Sequence, residues 1–306
     1  MKVSVVICTY SEDIYEHFEE AVESVLEQTY DDVELVLVSD GNEAVYRRMQ
    51  ADYGDRPDTI VSRTEENVGI SAARNHGIDL ATGDVVAQID DDAVADERWI
   101  EELVSVYEQT DAVAVGGKMT PLWVDGKPEF LPEEFYWLIG VTHRGFAEPG
   151  EEVRNTFGSN ISFQMEVIEE LGGFDPHVGR KGEAEIQAHE SELGTRLRRE
   201  FDRGVIYNPD AEVAHKVFDY RTEPVWLVKR AFWQGYSKRA LETLIPNAES
   251  GEESDFLRFL LFDSIPLRLR RLVSAPSVSV VSQLVWLVLL TGLVGFGYLY
   301  GIIKWR

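Results

Sequence analysis

The chain has 306 residues, and 55 acidic against 29 basic residues give it a formal charge of -26. A surface this acidic repels polyanions, so the composition argues against nucleic acid as a partner. Only 8 of the 29 basic residues are lysine; acid excess with scarce lysine indicates a salt-rich cytoplasm, where ionic screening weakens the self-repulsion. The single cysteine, Cys8, excludes a disulfide within the chain and is predicted to be a small core residue.

Short β-rich runs alternate with helical patterns through the first 120 residues. The predicted strands are 3–8, 33–38, 59–63, 84–89 and 112–116, and the predicted helices are 14–28, 43–52, 70–81 and 96–109. This alternation predicts an α/β fold in which a mostly parallel sheet carries helices on both faces. In such sheets ligands bind beyond the carboxyl ends of the strands.

Polar side chains follow four of these predicted strands. Thr9 and Tyr10 come after the first strand, Asp40 after the second, Asn67 past the third and Asp90–Asp92 after the fourth. Because the carboxyl ends of parallel strands meet at one edge of the sheet, we expect these residues to converge there.

The three consecutive carboxylates Asp90, Asp91 and Asp92 end an apolar run. Unpaired neighbouring carboxylates raise one another's pKa and destabilise the fold, so they usually face a cation. All-oxygen ligands favour Mg²⁺ or Mn²⁺ over zinc. The alternative is a solvated acidic turn before the next helix.

The pattern is less regular from about 120 to 222, where it predicts a short strand in GSNISF and a helix near 190–200. Residues 224–272 carry aromatic residues and arginine at helical spacing. They are predicted to form amphipathic helices on a membrane surface, and a buried position is equally open for the first of them.

The segment Val278–Ile303 is uncharged and would be about 39 Å long as a helix, enough to cross a bilayer. The basic residues Arg258, Arg268, Arg270 and Arg271 precede it. The positive-inside bias therefore predicts a single span with the large N-terminal part in the cytoplasm. The chain divides into a core domain (1–222), amphipathic helices (223–273) and a C-terminal transmembrane helix (274–306).

Eight features, taken in chain order, carry a resemblance to a known family. They are VSVVICTYSE near the start, SDG at 39–41, NVGISAARNHG at 67–77, ATGDVVAQIDDDA at 81–93, GSNISF at 158–163, LGGFDP at 171–176, HESELGTRLR at 189–198 and His215. In this set and order the chain resembles the family-2 glycosyltransferases, which are inverting enzymes with the nucleotide-sugar fold called GT-A. The resemblance implies that the core domain has the GT-A fold and is catalytic.

The resemblance also implies roles for the residues that bind the nucleotide-sugar donor. Thr9, Tyr10 and Glu12 would line the pocket for the nucleobase and ribose, with Asp40 on the uracil edge. The remaining donor-binding residues would be Asn67, Arg74, Asp90 and Asp91. Arg74 can offer a planar cation to the base or diphosphate, and the alternative is a salt bridge to a neighbouring acid.

The metal and the catalytic base follow from the same resemblance. Asp92 and His215 would bind Mg²⁺ or Mn²⁺, although a lone histidine beside a strand is equally open to a core or surface role. Glu190 aligns with the aspartate that acts as base in the family, and His189 replaces the acid that precedes it. This departure leaves Glu190 and Glu192 as candidates, beside a Glu that merely favours a helix N-terminus.

Taken together, the resemblance implies a membrane-anchored, metal-dependent glycosyltransferase at the cytoplasmic face, with a lipid-linked acceptor. The chain is similar to archaeal enzymes that extend a dolichyl-phosphate-linked glycan for the surface-layer glycoprotein, with hexuronic acid as the sugar and UDP as its carrier. A dolichyl-phosphate sugar synthase and a non-catalytic nucleotide-sugar binding protein remain alternatives. A dinucleotide-dependent oxidoreductase is disfavoured because no G-x-G-x-x-G follows the first strand.

Overall fold

A computed structural model of the chain describes residues 1–178, 189–244 and 251–304. The strands are β1 (Val3–Thr9), β2 (Val33–Ser39), β3 (Thr59–Arg63), β4 (Val85–Gln88), β5 (Ala93–Ala95), β6 (Ala114–Trp123), β7 (Glu152–Val153), β8 (Ile161–Gln164) and β9 (Val205–Val217). The helices are α1 (Tyr15–Leu26), α2 (Glu43–Tyr53), α3 (Ile70–Leu80), α4 (Trp99–Gln109), α5 (Met165–Leu171), α6 (His189–Phe201), α7 (Asp219–Thr222), α8 (Pro224–Leu244), α9 (Gly251–Phe259), α10 (Ile265–Ser274) and α11 (Val278–Lys304). Two 3₁₀ segments (Glu12–Ile14 and Glu133–Ile139) and a π-helical turn (Leu260–Ser264) complete the elements.

The sheet is parallel in its first half and mixed beyond it. Its strand order is β3-β2-β1-β4-β8-β6-β9-β5, and β7 pairs with β9. β1 pairs in parallel with β2 and β4, and β2 with β3, whereas β8 lies antiparallel between β4 and β6. The predicted α/β fold is confirmed, and the five predicted strands and four predicted helices of the first 120 residues all form.

Helices cover both faces of the sheet, as predicted. Alternate residues of β1 point to opposite faces: Val3, Val5 and Ile7 join the core that includes residues of α1, α2 and α4. Val6 faces α3 instead, where a Cβ on Gly77 would lie 2.4 Å from its Cγ1. Cys8 is buried in β1, as predicted.

Two compact units divide the described residues. The first contains 1–120, 148–178 and 189–215, and the second contains 121–147, 216–244 and 251–304. The second unit has its own apolar core, in which the 3₁₀ segment Glu133–Ile139 meets α8 and α11 through Phe135, Leu227 and Leu287.

Within the described ranges, α11 is the one helix long and apolar enough to cross a membrane. Val281, Val285, Val288 and Leu299 form part of an exposed apolar stripe along it. An exposed apolar helix face of this length is unfavourable in water. The stripe therefore fits contact with lipid.

α8 and α11 run in the same direction with their backbones in close contact. A Cβ on Gly297 would lie 1.9 Å from the carbonyl oxygen of Phe232, and one on Gly301 would lie 2.8 Å from the Cβ of Arg239. Small residues permit this approach, as they do between membrane helices. α8 thus packs along α11; the membrane-surface position of 223–273 stays a prediction.

A buried ion pair ties α10 to the 3₁₀ segment of the second unit. The guanidinium of Arg268 donates to both carboxylate oxygens of Glu134, at 2.7 and 2.5 Å, and the Glu134 side chain is fully buried. Arg268 therefore does not add to the exposed positive charge of α9 and α10, which consists of Arg258, Arg270 and Arg271.

A second buried carboxylate, Glu34, joins β2 to the start of β1. Lys2 and Ser4 each donate to it at 2.7 Å, and the Thr82 hydroxyl donates at 2.5 Å. Burial alone would raise its pKa, but these hydrogen bonds outweigh burial and lower the pKa of Glu34 from 4.5 to about 2. Ionised Glu34 therefore stabilises the folded chain.

We expect Glu34→Gln to lower the free energy of unfolding by about 2 kcal/mol at neutral pH, because the buried donors lose a charged acceptor. The contribution of a group with a lowered pKa is complete above its unfolded-state value, 4.5, and disappears as the pH falls through about 2. Urea unfolding followed by circular dichroism, at neutral pH and from pH 4.5 down to about 2, measures both effects. The control is Glu43→Gln on the surface, and equal behaviour of the two variants would contradict the assignment.

The glycines of α11 provide a matched pair for testing its packing. Among the described residues, no atom lies within 4 Å of a Cβ placed on Gly295, whereas Gly297 contacts α8. We expect Gly297→Ala to lower the melting temperature in detergent by several degrees, about 1–3 kcal/mol of overpacking, and Gly295→Ala to leave it unchanged or raise it. Equal melting temperatures for the two variants would show that α8 does not pack on this face.

Candidate functional site

The carboxylates Asp90–Asp92 lie in the link between β4 and β5, and strand pairing brings His215 to them. β5 is antiparallel to β9 with Ala93 opposite His215. His215 is 5% exposed, and its Nε2 lies 3.4 Å from Oδ1 of Asp92. The two predicted metal ligands are therefore neighbours, although no cluster of three or more His, Cys, Asp or Glu side chains suited to a metal occurs in the described ranges.

Arg74 projects from α3 into the midst of the carboxylates and is 3% exposed. Its Nη2 donates to Oδ1 of Asp90 at 2.6 Å, and its Nη1 lies 3.9 Å from Oε1 of Glu190. The guanidinium also lies 5.4 Å from the centre of the Phe174 ring. Burial opposes its charge, but Asp90 and Glu190 outweigh burial and raise the pKa of Arg74. The sequence left a salt bridge to a neighbouring acid as the alternative to donor binding by Arg74, and this salt bridge does form.

Glu190 lies in the first turn of α6, and its polar contacts converge on one oxygen. Oε1 accepts a hydrogen bond from the backbone N–H of Gly158 at 3.1 Å and lies 2.8 Å from Nε2 of His189. Burial would raise the pKa of Glu190, but His189 and Arg74 lower it to about 2. The carboxylate is therefore ionised at neutral pH.

Glu192, the other candidate base, is engaged elsewhere. Both its oxygens accept from Arg196, at 2.5 and 2.7 Å. Arg196 also donates to the carbonyl oxygens of Leu171 and Gly173. Glu192 thus ties α6 to the end of α5, and the geometry favours Glu190 as the group available to a ligand.

Asp91 has an electrostatic environment unlike that of its neighbours. Burial, together with the charges of Asp92 and Asp90, raises the pKa of Asp91 to about 7, although the Thr9 hydroxyl lowers it. Burial is the larger cause, and the repulsion among three adjacent carboxylates adds to it.

The other predicted donor-binding residues lie at the carboxyl ends of β1, β2 and β3. Asp40 is buried and accepts from the backbone N–H groups of Val68 and Gly69 and from the Thr64 hydroxyl. It thereby holds the loop that carries Asn67. Thr9 is buried, whereas Tyr10, Glu12 and Asn67 are exposed to solvent.

Sequence reasoning missed the structural role of residues 158–160, which it used only as part of a resemblance. The Ser159 hydroxyl accepts from the backbone N–H of Asp90 at 3.0 Å. The Asn160 side chain accepts from the indole N–H of Trp99 and donates to the carbonyl oxygen of Ala211. This turn thus links β9, α4, Asp90 and Glu190. The sequence signal that could have revealed this role is the triplet Gly158-Ser159-Asn160, one small and two polar residues directly before a strand.

Comparison with known proteins places these residues in context. The family model described as "Glycosyl transferase family 2" matches residues 4–172. This range includes Arg74 and Asp90–Asp92 and ends before Glu190 and His215. A protein of Haloferax volcanii, glucosyl-dolichyl phosphate glucuronosyltransferase, is 54% identical over 304 residues, which cover 99% of this chain and 97% of the relative.

Solved structures share the fold at low sequence identity. A mannosyltransferase from Pyrobaculum calidifontis in complex with GDP-Man and Mn²⁺ has a TM-score of 0.61 at 18% identity, over 99% of this chain and 87% of that one. TarS of S. aureus in complex with UDP-GlcNAc has a TM-score of 0.58 at 15% identity, over 100% of this chain and 90% of that one.

Proposed function

Because this chain belongs to glycosyl transferase family 2, we propose that it transfers a hexuronic acid residue from a UDP-linked donor to a dolichyl-phosphate-linked glycan. The near-full-length match to a glucosyl-dolichyl phosphate glucuronosyltransferase supports a hexuronic acid as the transferred sugar and a dolichyl-phosphate-linked sugar as the acceptor. The observation from the structure that carries the proposal is the ionised Glu190 beside the buried Arg74 and the three carboxylates.

Arg74 is the cation that we assign to the donor's diphosphate. In a chain of charge -26 an anionic donor needs a local positive group, and this guanidinium is held among Asp90, Glu190 and the Phe174 ring. A planar, permanently charged fork suits phosphate oxygens. Asp90 would then lie beside the ribose, and Asp40 beside the uracil edge.

The donor atoms of Asp92 and His215 fit a divalent metal. A carboxylate oxygen and an imidazole nitrogen 3.4 Å apart are both ligands for Mn²⁺ or Mg²⁺, and two protein ligands leave positions for phosphate oxygens and water. A divalent metal bound there would supply positive charge that stabilises the departing UDP. The charges of Asp92 and Asp90 add to burial in raising the pKa of Asp91, so a cation at this point would be favourable.

Glu190 is the base in this proposal. The acceptor hydroxyl oxygen forms a bond to the anomeric carbon from the side opposite UDP, and its proton passes to Glu190. The bond between the anomeric carbon and the phosphate oxygen breaks, and UDP leaves with the electron pair, so the configuration inverts. Glu192 is unsuited to this role because Arg196 holds both of its oxygens.

A membrane location follows from α11 and from a lipid-linked acceptor. We place the catalytic domain in the cytoplasm, with α11 as a single span. Three exposed arginines (Arg258, Arg270 and Arg271) precede α11, and cytoplasmic flanks carry excess positive charge.

To identify the donor, membranes that contain the protein are incubated in molar KCl with a panel of labelled UDP- and GDP-sugars. A lipid extract provides the acceptor. We expect label from a UDP-hexuronic acid to enter the lipid fraction and EDTA to abolish it. Glu190→Gln should lower the rate about 10²–10⁴-fold because the proton acceptor is lost.

The matched control is Glu192→Gln, which lies in the same helix turn and should affect stability rather than the rate per folded molecule. A larger rate loss in Glu192→Gln than in Glu190→Gln would reassign the base. Nucleotide binding without transfer from any donor would favour the non-catalytic alternative. A product in which one sugar sits directly on dolichyl phosphate would identify a synthase.

The orientation is tested with a single cysteine at exposed Asp31 in a Cys8→Ala background. A membrane-impermeant maleimide should label Asp31→Cys only after the cells are opened. A cysteine appended after the last residue should react in intact cells. Labelling of Asp31→Cys in intact cells would contradict a cytoplasmic catalytic domain.

A further inference from the structure

His189 has no part in the steps above, yet its one hydrogen bond in the described part of the chain goes to the proposed base. Its Nε2 lies 2.8 Å from Oε1 of Glu190. Its Nδ1 is buried and has no hydrogen-bond partner among the described residues. The ring meets Phe174 edge-on, with centroids 6.4 Å apart. Because a carboxylate only accepts, Nε2 carries the proton.

The contacts of Glu190 distinguish its two oxygens. Gly158 N–H and His189 Nε2 both bond Oε1, and Arg74 Nη1 approaches the same atom at 3.9 Å. A Cβ on Gly158 would lie 2.3 Å from Oε1, so the backbone approach depends on glycine. This anchoring leaves Oε2 as the oxygen that can take a proton.

We propose that His189 is a positioning residue that fixes the Glu190 carboxylate so that Oε2 meets the acceptor hydroxyl. The proposal rests on the proposed function, because it assigns a support to that base. A glutamate has three side-chain torsions and needs restraint, and a displacement of about 1 Å at a reacting group costs about 100-fold in rate.

Neither of the other two contacts provides this restraint alone. Arg74 is hydrogen-bonded to Asp90 at 2.6 Å, and at 3.9 Å it attracts Glu190 without a directional bond. Gly158 fixes one point, about which the carboxylate can still rotate. The imidazole, held against Phe174, donates to the same oxygen from a second direction, and because the lone pairs of a carboxylate oxygen lie in the carboxylate plane, the two donors together orient that plane.

Two substitutions at position 189 separate the hydrogen bond from the ring. His189→Phe keeps a ring against Phe174 but removes the donor, and His189→Gln keeps an N–H at similar reach. His177→Phe is the control, because the His177 side chain is 92% exposed. We expect His189→Phe to lower kcat about 10–100-fold, with the KM for the donor changed less than about threefold. His189→Gln should recover most of the rate, and His177→Phe should match the parent protein.

A kcat for His189→Phe within about twofold of the parent would overturn the proposal, since misplacement of a base lowers the rate. Equal losses in His189→Gln and His189→Phe would overturn it too, because the hydrogen bond would then be irrelevant. A rise in KM with kcat unchanged would assign His189 to donor binding instead.

Amide hydrogen exchange at Gly158 tests the same contact without any activity. Its N–H donates to Glu190, so we expect it to exchange about tenfold faster in His189→Phe and at the parent rate in His189→Gln. Unchanged exchange in His189→Phe would overturn the proposal. If the parent protein transfers no sugar, the proposed function fails, and the exchange experiment still decides whether His189 holds Glu190.

Discussion

The charge of Arg74 is the constraint on which the site depends. Four carboxylates from two parts of the chain, Asp90–Asp92 and Glu190, meet at one sheet edge, in a protein that already carries a charge of -26. Without a buried cation they would repel one another or take up protons. Arg74 bonds Asp90 and attracts Glu190, so one guanidinium offsets the charge of two carboxylates that lie 100 positions apart in sequence. Because Arg74 is buried on α3 between the two carboxylates, its single guanidinium can contact both Asp90 and Glu190.

The first half of the sheet could be predicted because the local sequence pattern of each of its strands and helices agrees with the structure that it forms. Apolar runs at β1, β2 and β4, with periodic helices between them, predicted the correct succession of strands and helices along the chain. They also predicted the sheet edge to which Asp40 and Asp90–Asp92 belong. β9 could not be predicted, since the run Asn208-Pro209-Asp210 in its middle is typical of a turn. Its buried residues alternate on either side of that run. The position of β8 between β4 and β6 depends on long-range pairing that no local pattern reports.

The site was predictable to the extent that its residues follow predicted strands or match family stretches. The prediction brought Asp92, His215, Arg74 and Glu190 to one region. The structure pairs His215 with Asp92, and Arg74 with Glu190 and Asp90. It did not reveal what holds them there. Ser159 acts on Asp90, and Gly158 and His189 act on Glu190, each through a single hydrogen bond. Such bonds depend on tertiary approach rather than on residue type. The ligand roles of these residues stay predictions.

The register of β5 on β9 has a consequence for how the site assembles. Ala93 lies opposite His215, and successive side chains of a strand face opposite ways. A slip of one residue would bring buried Lys216 towards the acidic link in place of the imidazole. An ammonium there would satisfy the same carboxylates and leave no room for a divalent ion. The pairing that completes the sheet therefore also decides between the proposed metal site and a closed salt bridge. That choice falls to one of the last parts of the first unit to leave the ribosome, so a nascent chain cannot acquire the site before it has acquired nearly the whole unit.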